Sequence, residues 1–285
     1  MTEKQVVQCI VRAGTKQIRP DGTTYQSLSY RDELRLAEET GCSLREVQIL
    51  ALQNGLIPEA YIRNQKSLSS QDQIRLLQTH VAIIGLGGLG GTVTEILSRI
   101  GIGTLTLVDG DSFEDSNLNR QLLSSVDTLG RAKAEVAGER VLSVNPVVET
   151  CTVRQFLSDK NAQIILKDAN IAVDCLDSIT SRFILEQACR TRKIPMVSAA
   201  IGGTSGQATV VYPEDKGLSQ IYGDPGSASA KGVERMLGTL PFAAITMAAI
   251  ECAEVVTIAI GNPPPLRNRL FITDLADHST ELIDL

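Results

Sequence analysis

One stretch of the sequence decides the fold, and it reads Val81-Ala82-Ile83-Ile84-Gly85-Leu86-Gly87-Gly88-Leu89-Gly90-Gly91. A short apolar run ends at Ile84, glycines follow, and a helical spacing of apolar residues continues to about residue 100. Gly85, Gly87 and Gly90 satisfy the pattern G-x-G-x-x-G, in which a tight turn lets the backbone approach a ligand closely. The first N–H groups of the following helix then face an anion. This order of strand, glycine turn and helix predicts a nucleotide-binding α/β domain.

Further along the chain, apolar runs of strand length alternate with segments of helical spacing. The runs are at 104–108, 147–153, 171–173 and 196–199, and the helical segments between them are at 129–144 and 179–191. This alternation predicts βαβ units and a Rossmann-type, mostly parallel sheet with flanking helices. Beyond it we expect a strand over 207–212, a long loop over 214–238, a helix over 240–260, and a terminal hairpin of 270–273 and 281–285.

The first 57 residues have a different character. Helical spacing recurs over 30–39 and 43–54, and Ser43 with Glu46 forms a capping-box pattern at the start of the second segment. The span 13–24 is either a loop or a short hairpin. We therefore expect a small helical appendage over 1–57, followed by one nucleotide-binding domain over 58–285.

Composition excludes several classes of protein. The chain has 285 residues, 43% of them apolar, and a net charge of −6, so no broad basic surface for nucleic acid is expected. The most apolar stretch, 240–260, contains Glu251 and Glu254, which favours a buried core helix over a membrane span. No signal-peptide core follows the polar N-terminus, and the six cysteines form no Cys-x-x-Cys pair, so a cytoplasmic protein is expected.

An acidic residue stands at the second strand. Asp109 lies 24 residues after Gly85, at the point where that strand ends. A carboxylate placed there accepts hydrogen bonds from a ribose. This feature fits any adenine nucleotide and does not separate a dehydrogenase from an ATP-using enzyme.

A polar cluster follows Asp109 and favours a triphosphate. It contains Arg120, and Lys133 comes shortly after it in the first turn of a predicted helix. Arg offers a planar fork to phosphate oxygens, and Lys offers a point charge. Hydride transfer needs neither, so the two cations indicate ATP rather than a dinucleotide.

A second acidic site follows the strand at 171–173. Asp177 stands at the carboxyl edge of the predicted sheet, where one of its oxygens is expected to hold Mg²⁺. The alternative is that Asp177 caps the next helix, a role that Ser178 fills equally well. Asp174 is expected to orient the turn.

These residues resemble those of the ThiF/MoeB/HesA family, relatives of the ubiquitin-activating enzymes. The resemblance covers about residue 60 to the C-terminus. It rests on Gly85 to Gly91, Asp109-x-Asp111, Asn117-x-x-Arg120-Gln121, Lys133, Asn145-Pro146, and Asp174-x-x-Asp177 with Arg182.

The resemblance implies an adenylation reaction. The C-terminal Gly-Gly carboxylate of a small ubiquitin-like sulfur-carrier protein, of the molybdopterin or thiamine type, attacks the α-phosphorus of ATP, and pyrophosphate leaves. Arg63 looks like the family arginine that reaches into the neighbouring subunit's site, which implies a homodimer. The implied catalytic residues are Arg63, Arg120, Lys133 and Asp177, with Mg²⁺ on Asp177. The implied ATP-binding residues are Gly85, Gly87, Gly88, Gly90, Asp109, Asp111, Asn117 and Gln121.

The chain departs from the family in its cysteines. Many members hold a structural zinc in two Cys-x-x-Cys pairs, and some carry an acceptor cysteine in the crossover loop. The corresponding stretches, 214–238 and 274–285, contain no cysteine, so we predict no zinc site. Cys175 and Cys189 are the nearest acceptor candidates, and we expect both to be buried.

Three alternatives stay open from the sequence. An NAD(P)-dependent oxidoreductase explains the glycine turn and Asp109 but leaves Arg120, Lys133 and Asp177 without a task. Adenylation of a small molecule or a tRNA base uses the same site on a different substrate. A nucleotide-bound scaffold without catalysis is disfavoured by the intact charged residues.

Overall fold

The computed structural model describes residues 1–225 and 237–285. Its helices and strands, in chain order, are α1 (Glu3–Ala13), β1 (Thr15–Ile18), β2 (Thr24–Leu28), α2 (Tyr30–Thr40), α3 (Leu44–Gln53), β3 (Leu56–Pro58), α4 (Ser70–Gln78), β4 (His80–Ile84), α5 (Gly88–Ile100), β5 (Thr104–Val108), α6 (Lys133–Val144), β6 (Glu149–Val153), α7 (Ala162–Ile165), β7 (Ile171–Asp174), α8 (Ile179–Arg192), β8 (Met196–Gly202), β9 (Ser205–Val211), α9 (Ser219–Tyr222), α10 (Pro241–Ala259), β10 (Arg269–Asp274) and β11 (Ser279–Asp284).

The N-terminal unit is not purely helical, which corrects the expected appendage. Helices α2 and α3 lie where the spacing predicted them, and the Ser43–Glu46 capping box is present. The unit also contains α1 and a three-stranded sheet in the order β1-β2-β3. Strands β1 and β2 pair in antiparallel fashion, so the hairpin alternative for 13–24 is the correct one. Strands of three to five residues are too short to reveal themselves by periodicity, and pairing with neighbours defines them.

The N-terminal unit has its own apolar core and a defined junction with the rest. Residues from all three of its helices and from β2 and β3, among them Ile10, Leu28 and Leu56, form one buried cluster. A second cluster, which includes Leu52, Tyr61 and Val147, joins the unit to the larger domain.

The larger domain is built on the expected Rossmann-type sheet. Eight strands lie in the order β11-β10-β9-β8-β7-β4-β5-β6. Strands β8, β7, β4, β5 and β6 are parallel, whereas β9, β10 and β11 run antiparallel to their neighbours. The mostly parallel α/β fold and the terminal hairpin are therefore confirmed. The sequence did not reveal α4, the short α7, or the short α9, which lies within the expected loop over 214–238. Residues 226–236 of that loop lie outside the described part.

The central strand β4 shows why its run is continuously apolar. Val81 and Ile83 face a cluster with α5, α6 and α10, whereas Ala82 and Ile84 face a cluster with α7 and α8. Because helices cover both faces of the sheet, every residue of β4 except His80 is buried. The run therefore carries no alternation of polar and apolar residues.

Helix α10 matches the expected core helix. By length and composition alone it is the one helix in the described ranges that is able to cross a membrane. It nevertheless packs against α5, β8 and β9, and Glu251 and Glu254 on it are both buried. Membrane insertion would place these two carboxyls in hydrocarbon, which is energetically unfavourable.

Candidate active site

A cavity of about 370 Å³ opens at the carboxyl edge of the parallel strands. Its walls come from the segments that follow β4, β5, β6, β7 and β8. Strand β4 lies between β5 and β7, so the chain leaves β4 toward one side and later returns on the other. Such a switch point is where open α/β sheets bind their ligands.

The glycine turn shapes one wall of this cavity. Gly85 has a φ of +93°, and a Cβ there would lie 2.6 Å from the carbonyl oxygen of Cys175. A Cβ at Gly90 would lie 1.8 Å from the oxygen of Gly85, so Gly90 lets the helix pack on its own turn. Gly87 precedes α5 without any side-chain cap, and Gly88 and Leu89 line the cavity. The N-terminus of α5 therefore faces the cavity, which suits an anion.

Asp109 links the glycine turn to the segment after β5. Its Oδ2 accepts a hydrogen bond from the N–H of Leu86 at 2.8 Å, and its Oδ1 accepts one from the N–H of Asp111, also at 2.8 Å. A carboxylate accepts about four hydrogen bonds. The remaining lone pairs are therefore available to a ligand, and both Asp109 and Asp111 line the cavity.

Three cations line the same cavity, and one of them, Arg182, is paired with the buried Asp174. The side chain of Lys133 is only 8% exposed, and its Nζ lies 3.5 Å from Oδ2 of the half-exposed Asp111. The Arg120 guanidinium donates to the carbonyl oxygen of Ser116 at 3.0 Å and to Oδ1 of Asn119 at 2.8 Å. No carboxylate pairs with Arg120 within the described ranges. The wall therefore carries positive charge that the protein itself only partly neutralises.

Gln121 and Asn117 differ in their relation to the cavity. Gln121 lines it, is nearly buried, and has an Oε1 atom without a partner in the described structure. Asn117 does not line the cavity, because its Oδ1 accepts from the N–H of Glu114 at 3.1 Å and caps a short turn. Gly90 also lies behind the wall. The structure thus gives Asn117 and Gly90 supporting positions and places Gln121 in the cavity wall.

Asp177 is free of the capping role that competed with the metal hypothesis. Ser178 caps α8, with its Oγ accepting from the N–H of Ser181 at 3.4 Å. Asp177 is exposed and lines the cavity. One carboxylate beside bound phosphates is the sparse coordination that Mg²⁺ accepts. The described residues contain no group of three or more His, Cys, Asp or Glu side chains arranged to hold a metal ion.

Asp174 has an architectural task, as the sequence suggested. It is fully buried, and its Oδ2 accepts from Arg182 at 2.8 Å and from Ser198 at 2.6 Å. Its Oδ1 accepts from the N–H of Leu176, which holds the turn that presents Asp177.

Arg63 stands apart from the cavity of its own chain. It is exposed in the turns that follow the short 3-10 helix Glu59–Tyr61, and it does not line the cavity. Its predicted contact with a neighbouring subunit therefore stays a prediction.

Several lining residues were not recognised in the sequence. They come from the segment after β6, from the end of β8 and from the residues just before α10, and they include Gln155, Phe156, Leu157, Ala200, Ile201 and Thr239. The Phe156 ring packs so closely on Gly110 that a Cβ there would lie 2.7 Å from it. Because β6 is parallel to β5, the residues after β6 had to reach this edge, and that rule would have identified Phe156.

The two acceptor candidates among the cysteines differ in burial. Cys189 is buried as expected, whereas Cys175 is partly exposed and lines the cavity, which corrects that expectation. The Cys175 thiol lies 3.9 Å from Oε2 of the fully buried Glu251. Although the residue is partly exposed, desolvation of its thiol group, reinforced by the Glu251 carboxyl, raises the pKa of Cys175 well above its usual value. A protonated thiol is a weak nucleophile, so neither cysteine is suited to accept an acyl group.

Comparison with known proteins defines the class. A Rossmann-type sheet with a partly neutralised cationic cavity at its switch point is typical of nucleotide-binding α/β enzymes. Residues 61–285 match the ThiF family. The chain belongs to the ThiF family and is an E1-like adenylyltransferase.

Three curated relatives illustrate the range of the family. The SAMP-activating enzyme E1 of Haloferax volcanii is 31% identical over 216 residues, covering 75% of this chain and 79% of that protein. The adenylyltransferase and sulfurtransferase MOCS3 of Drosophila ananassae is 33% identical over 205 residues, covering 72% of this chain and 46% of MOCS3. The tRNA threonylcarbamoyladenosine dehydratase of Haemophilus influenzae is 36% identical over 162 residues, covering 56% and 61% respectively.

Two solved structures share the fold over more of the chain. PaaA, in its selenomethionine form, has a TM-score of 0.66 at 21% identity and covers 96% of this chain and 98% of its own. E. coli MccB with MccA-N7isoASN has a TM-score of 0.67 at 20% identity, and the match covers 90% of this chain and 79% of the MccB chain. These likenesses therefore extend into the N-terminal unit.

Proposed function

We propose that this adenylyltransferase activates the C-terminal Gly-Gly carboxylate of a small ubiquitin-like sulfur-carrier protein. The observation that carries the proposal is the partly neutralised positive charge of Arg120 and Lys133 beside the N-terminus of α5. Relatives named as SAMP-activating enzyme and as MOCS3 adenylyltransferase support this substrate class. Family membership also argues against the oxidoreductase alternative.

The residues present suit ATP. The glycine turn leaves room for a phosphate where any side chain would intrude, and the N–H groups of α5 face that space. Asp109 offers free lone pairs for the ribose hydroxyls, and Gln121 lines the same cavity. Arg120 and Lys133 are placed to bind phosphate oxygens.

The reaction proceeds by positioning and charge stabilisation. A carboxylate oxygen of the carrier attacks the α-phosphorus, and the bond from that phosphorus to the bridging oxygen breaks, so that pyrophosphate departs and an acyl-adenylate forms. Arg120 and Lys133 stabilise the negative charge that develops on the departing pyrophosphate. Asp177 is the residue that would hold Mg²⁺, which when bound neutralises phosphate charge. No protein nucleophile takes part, which agrees with the protonated state of Cys175.

We further propose that the enzyme acts as a homodimer in the cytoplasm. Five exposed apolar residues, Leu118, Leu122, Leu240, Phe242 and Ile245, which we call the apolar patch, are close in the chain to Arg120 and Thr239 of the cavity lining. The segment that holds Leu118 and the start of α10 are joined there by a hydrogen bond from Asn119 to the carbonyl oxygen of Thr239. A second copy covering this patch would remove its apolar surface from water, and Arg63 would then serve that copy's site. The six unpaired cysteines support a reducing compartment.

The decisive experiment is ATP–pyrophosphate exchange with Mg²⁺ and a panel of ubiquitin-like carriers that end in Gly-Gly. We expect exchange with one carrier and its loss when the terminal glycine is removed. A rate of pyrophosphate exchange that no carrier protein increases would contradict the proposed substrate.

A second substrate class belongs in the same panel. The relative named tRNA threonylcarbamoyladenosine dehydratase is 36% identical, so the same site is compatible with a carboxylate on a tRNA base. The net charge of −6 weighs against binding an RNA surface. Exchange stimulated by tRNA rather than by any carrier protein would select this second function.

A further inference from the structure

A second cavity, of about 570 Å³, lies between the N-terminal unit and the larger domain. Glu33 of α2 and Gln48 of α3 lie on one side, and Leu142, Pro146 and Val147 at the end of α6 lie on the other. It is separate from the nucleotide cavity, because Leu89 lines the first cavity and Arg99 the second, about 15 Å apart along α5.

Two buried acceptor groups in this cavity are incompletely satisfied. Glu33 is only 1% exposed, and its one hydrogen-bond donor among the described residues is the Nε2 of Gln48, at 2.8 Å. Gln48 is 2% exposed, and its Oε1 has no donor at all in the described structure. No Lys or Arg within 1–225 or 237–285 forms an ion pair with Glu33. A buried carboxyl without a cation and a buried amide oxygen without a donor are both energetically unfavourable.

The polar groups around the cavity do not remedy this deficit. The Nδ2 of Asn145 donates to the Tyr61 hydroxyl at 3.0 Å and to the carbonyl oxygen of Ser98 at 2.9 Å. The Arg99 guanidinium is held by the carboxylate of Glu95 at 2.6 Å. Among the described residues, therefore, neither Asn145 nor Arg99 supplies the donors that Glu33 and the Oε1 of Gln48 lack.

We propose that this cavity binds a primary ammonium group carried on a short alkyl chain. An ammonium supplies a positive charge and three N–H donors and needs no acceptor partner, which matches Glu33 and the Oε1 of Gln48. The apolar wall of Leu142, Pro146 and Val147 suits the alkyl chain. A divalent metal ion fits less well, because one carboxylate and one amide oxygen fall short of its six or more oxygen ligands.

The ionisation of Glu33 supports this ligand class. Burial raises the pKa of Glu33 to about 7, with a smaller contribution from the neighbouring charge of Asp32. The other groups that face it are Gln48 of α3 and, across the junction, the Tyr61 hydroxyl and Arg99. Ammonium binding requires the carboxylate form, so the affinity is expected to rise as the pH increases through about 7.

Calorimetric titration of the full chain near pH 8 tests the proposal. The probes are n-butylammonium, which represents a free amine, and Nα-acetyl-lysine methylamide, which represents a lysine side chain of a protein partner. We expect saturable binding of at least one probe, and the tighter probe identifies the source of the ammonium. Loss of one charge-assisted hydrogen bond in Glu33→Gln should weaken that binding by about tenfold or more.

Two further variants keep the test specific. Glu38→Gln removes an exposed acid from the same helix and should leave the affinity unchanged. Gln48→Met removes the unpartnered oxygen at similar length and should weaken binding even if Glu33→Gln folds poorly. The proposal is overturned if neither probe binds saturably, if n-butanol binds as tightly as n-butylammonium, or if correctly folded Glu33→Gln binds like the parent protein. The readout is binding rather than adenylation, so its failure leaves the proposed function untouched.

Discussion

The Nδ2 atom of Asn145 donates to the hydroxyl of Tyr61 at 3.0 Å, although 84 residues separate the two in the chain. The same nitrogen donates to the carbonyl oxygen of Ser98, and the Oδ1 of Asn145 accepts from the N–H of Val147. One buried amide thus joins the segment after the N-terminal unit to the ends of α5 and α6.

Removal of this amide should cost stability without touching the nucleotide site. We expect Asn145→Ala to lower the free energy of unfolding by about 3 kcal/mol, because it removes three hydrogen bonds at a buried site. Urea denaturation measures the loss. Tyr61→Phe, which removes one partner only, should lose about 1 kcal/mol. Equal losses in the two variants would contradict this account of the junction.

Two glycines of the nucleotide turn should respond differently to alanine. Gly90→Ala places a Cβ 1.8 Å from a backbone oxygen and should destabilise the fold by about 3 kcal/mol. The nearest protein atom to a Cβ at Gly87 is the Nε2 of Gln121, at 3.7 Å, so Gly87→Ala should cost less than about 1 kcal/mol. It should nevertheless weaken ATP binding, because its methyl group enters the space before α5. Thermal unfolding with and without ATP separates the effects, and normal ATP affinity in Gly87→Ala would argue against this phosphate site.

Asp177 and Asp174 provide a matched pair of carboxylates. Asp177→Ala should reduce pyrophosphate exchange at least about 100-fold while changing stability by less than about 0.5 kcal/mol. Asp174→Ala leaves Arg182 as a buried charge without its partner and should destabilise the protein by about 3–5 kcal/mol. Full exchange activity in Asp177→Ala would refute the magnesium assignment.

Complementation tests the role of Arg63. Arg63→Ala and Asp177→Ala should each be inactive alone, because one lacks the arginine supplied across the interface and the other lacks the proposed metal ligand. A mixture of the two should regain part of the activity, since one site of the mixed dimer then has both residues. Exchange of subunits is verified by a size tag on one variant. A mixed dimer that stays inactive would remove Arg63 from the neighbouring site.

Glu33 should make stability depend on pH. Its pKa is raised from 4.5 to about 7 in the folded protein, so the folded state binds the proton more tightly than the unfolded chain does. The contribution of Glu33 to the free energy of unfolding is therefore fully present below pH 4.5 and is lost as the pH rises toward 7. Glu33→Gln should match the parent protein near pH 4.5 and exceed it by about 3 kcal/mol near pH 8, in the absence of amines. A stability difference that does not change with pH would contradict this effect.

The sequence predicted the parallel sheet well because local patterns dictate it. The apolar run at Val81–Ile84 and the glycine spacing after it predict a buried strand followed by a turn into a helix, and the structure contains both. Asp109, Arg120, Lys133 and Asp177 could be placed because each follows a recognisable strand or opens a helix.

Other features depend on tertiary contacts that leave no local pattern. Strands β1 to β3 exist through their pairing, and Phe156 reaches the cavity only because β6 lies beside β5. The capping of α8 by Ser178 rather than by Asp177 depends on the turn that Asp174 holds. Spacing alone did not distinguish the two.

The separate apolar core of the N-terminal unit has a consequence for how this enzyme can diversify. Its buried cluster shares no residue with the two clusters that support the nucleotide cavity. Substitutions on the outer surfaces of α1, β1 and α2 therefore leave the reaction centre undisturbed. Substitutions that adapt the protein to a new binding partner can therefore accumulate in the first 58 residues while the adenylation site stays the same. The N-terminal unit is for this reason the part of the chain that we would replace to change which partner is recognised.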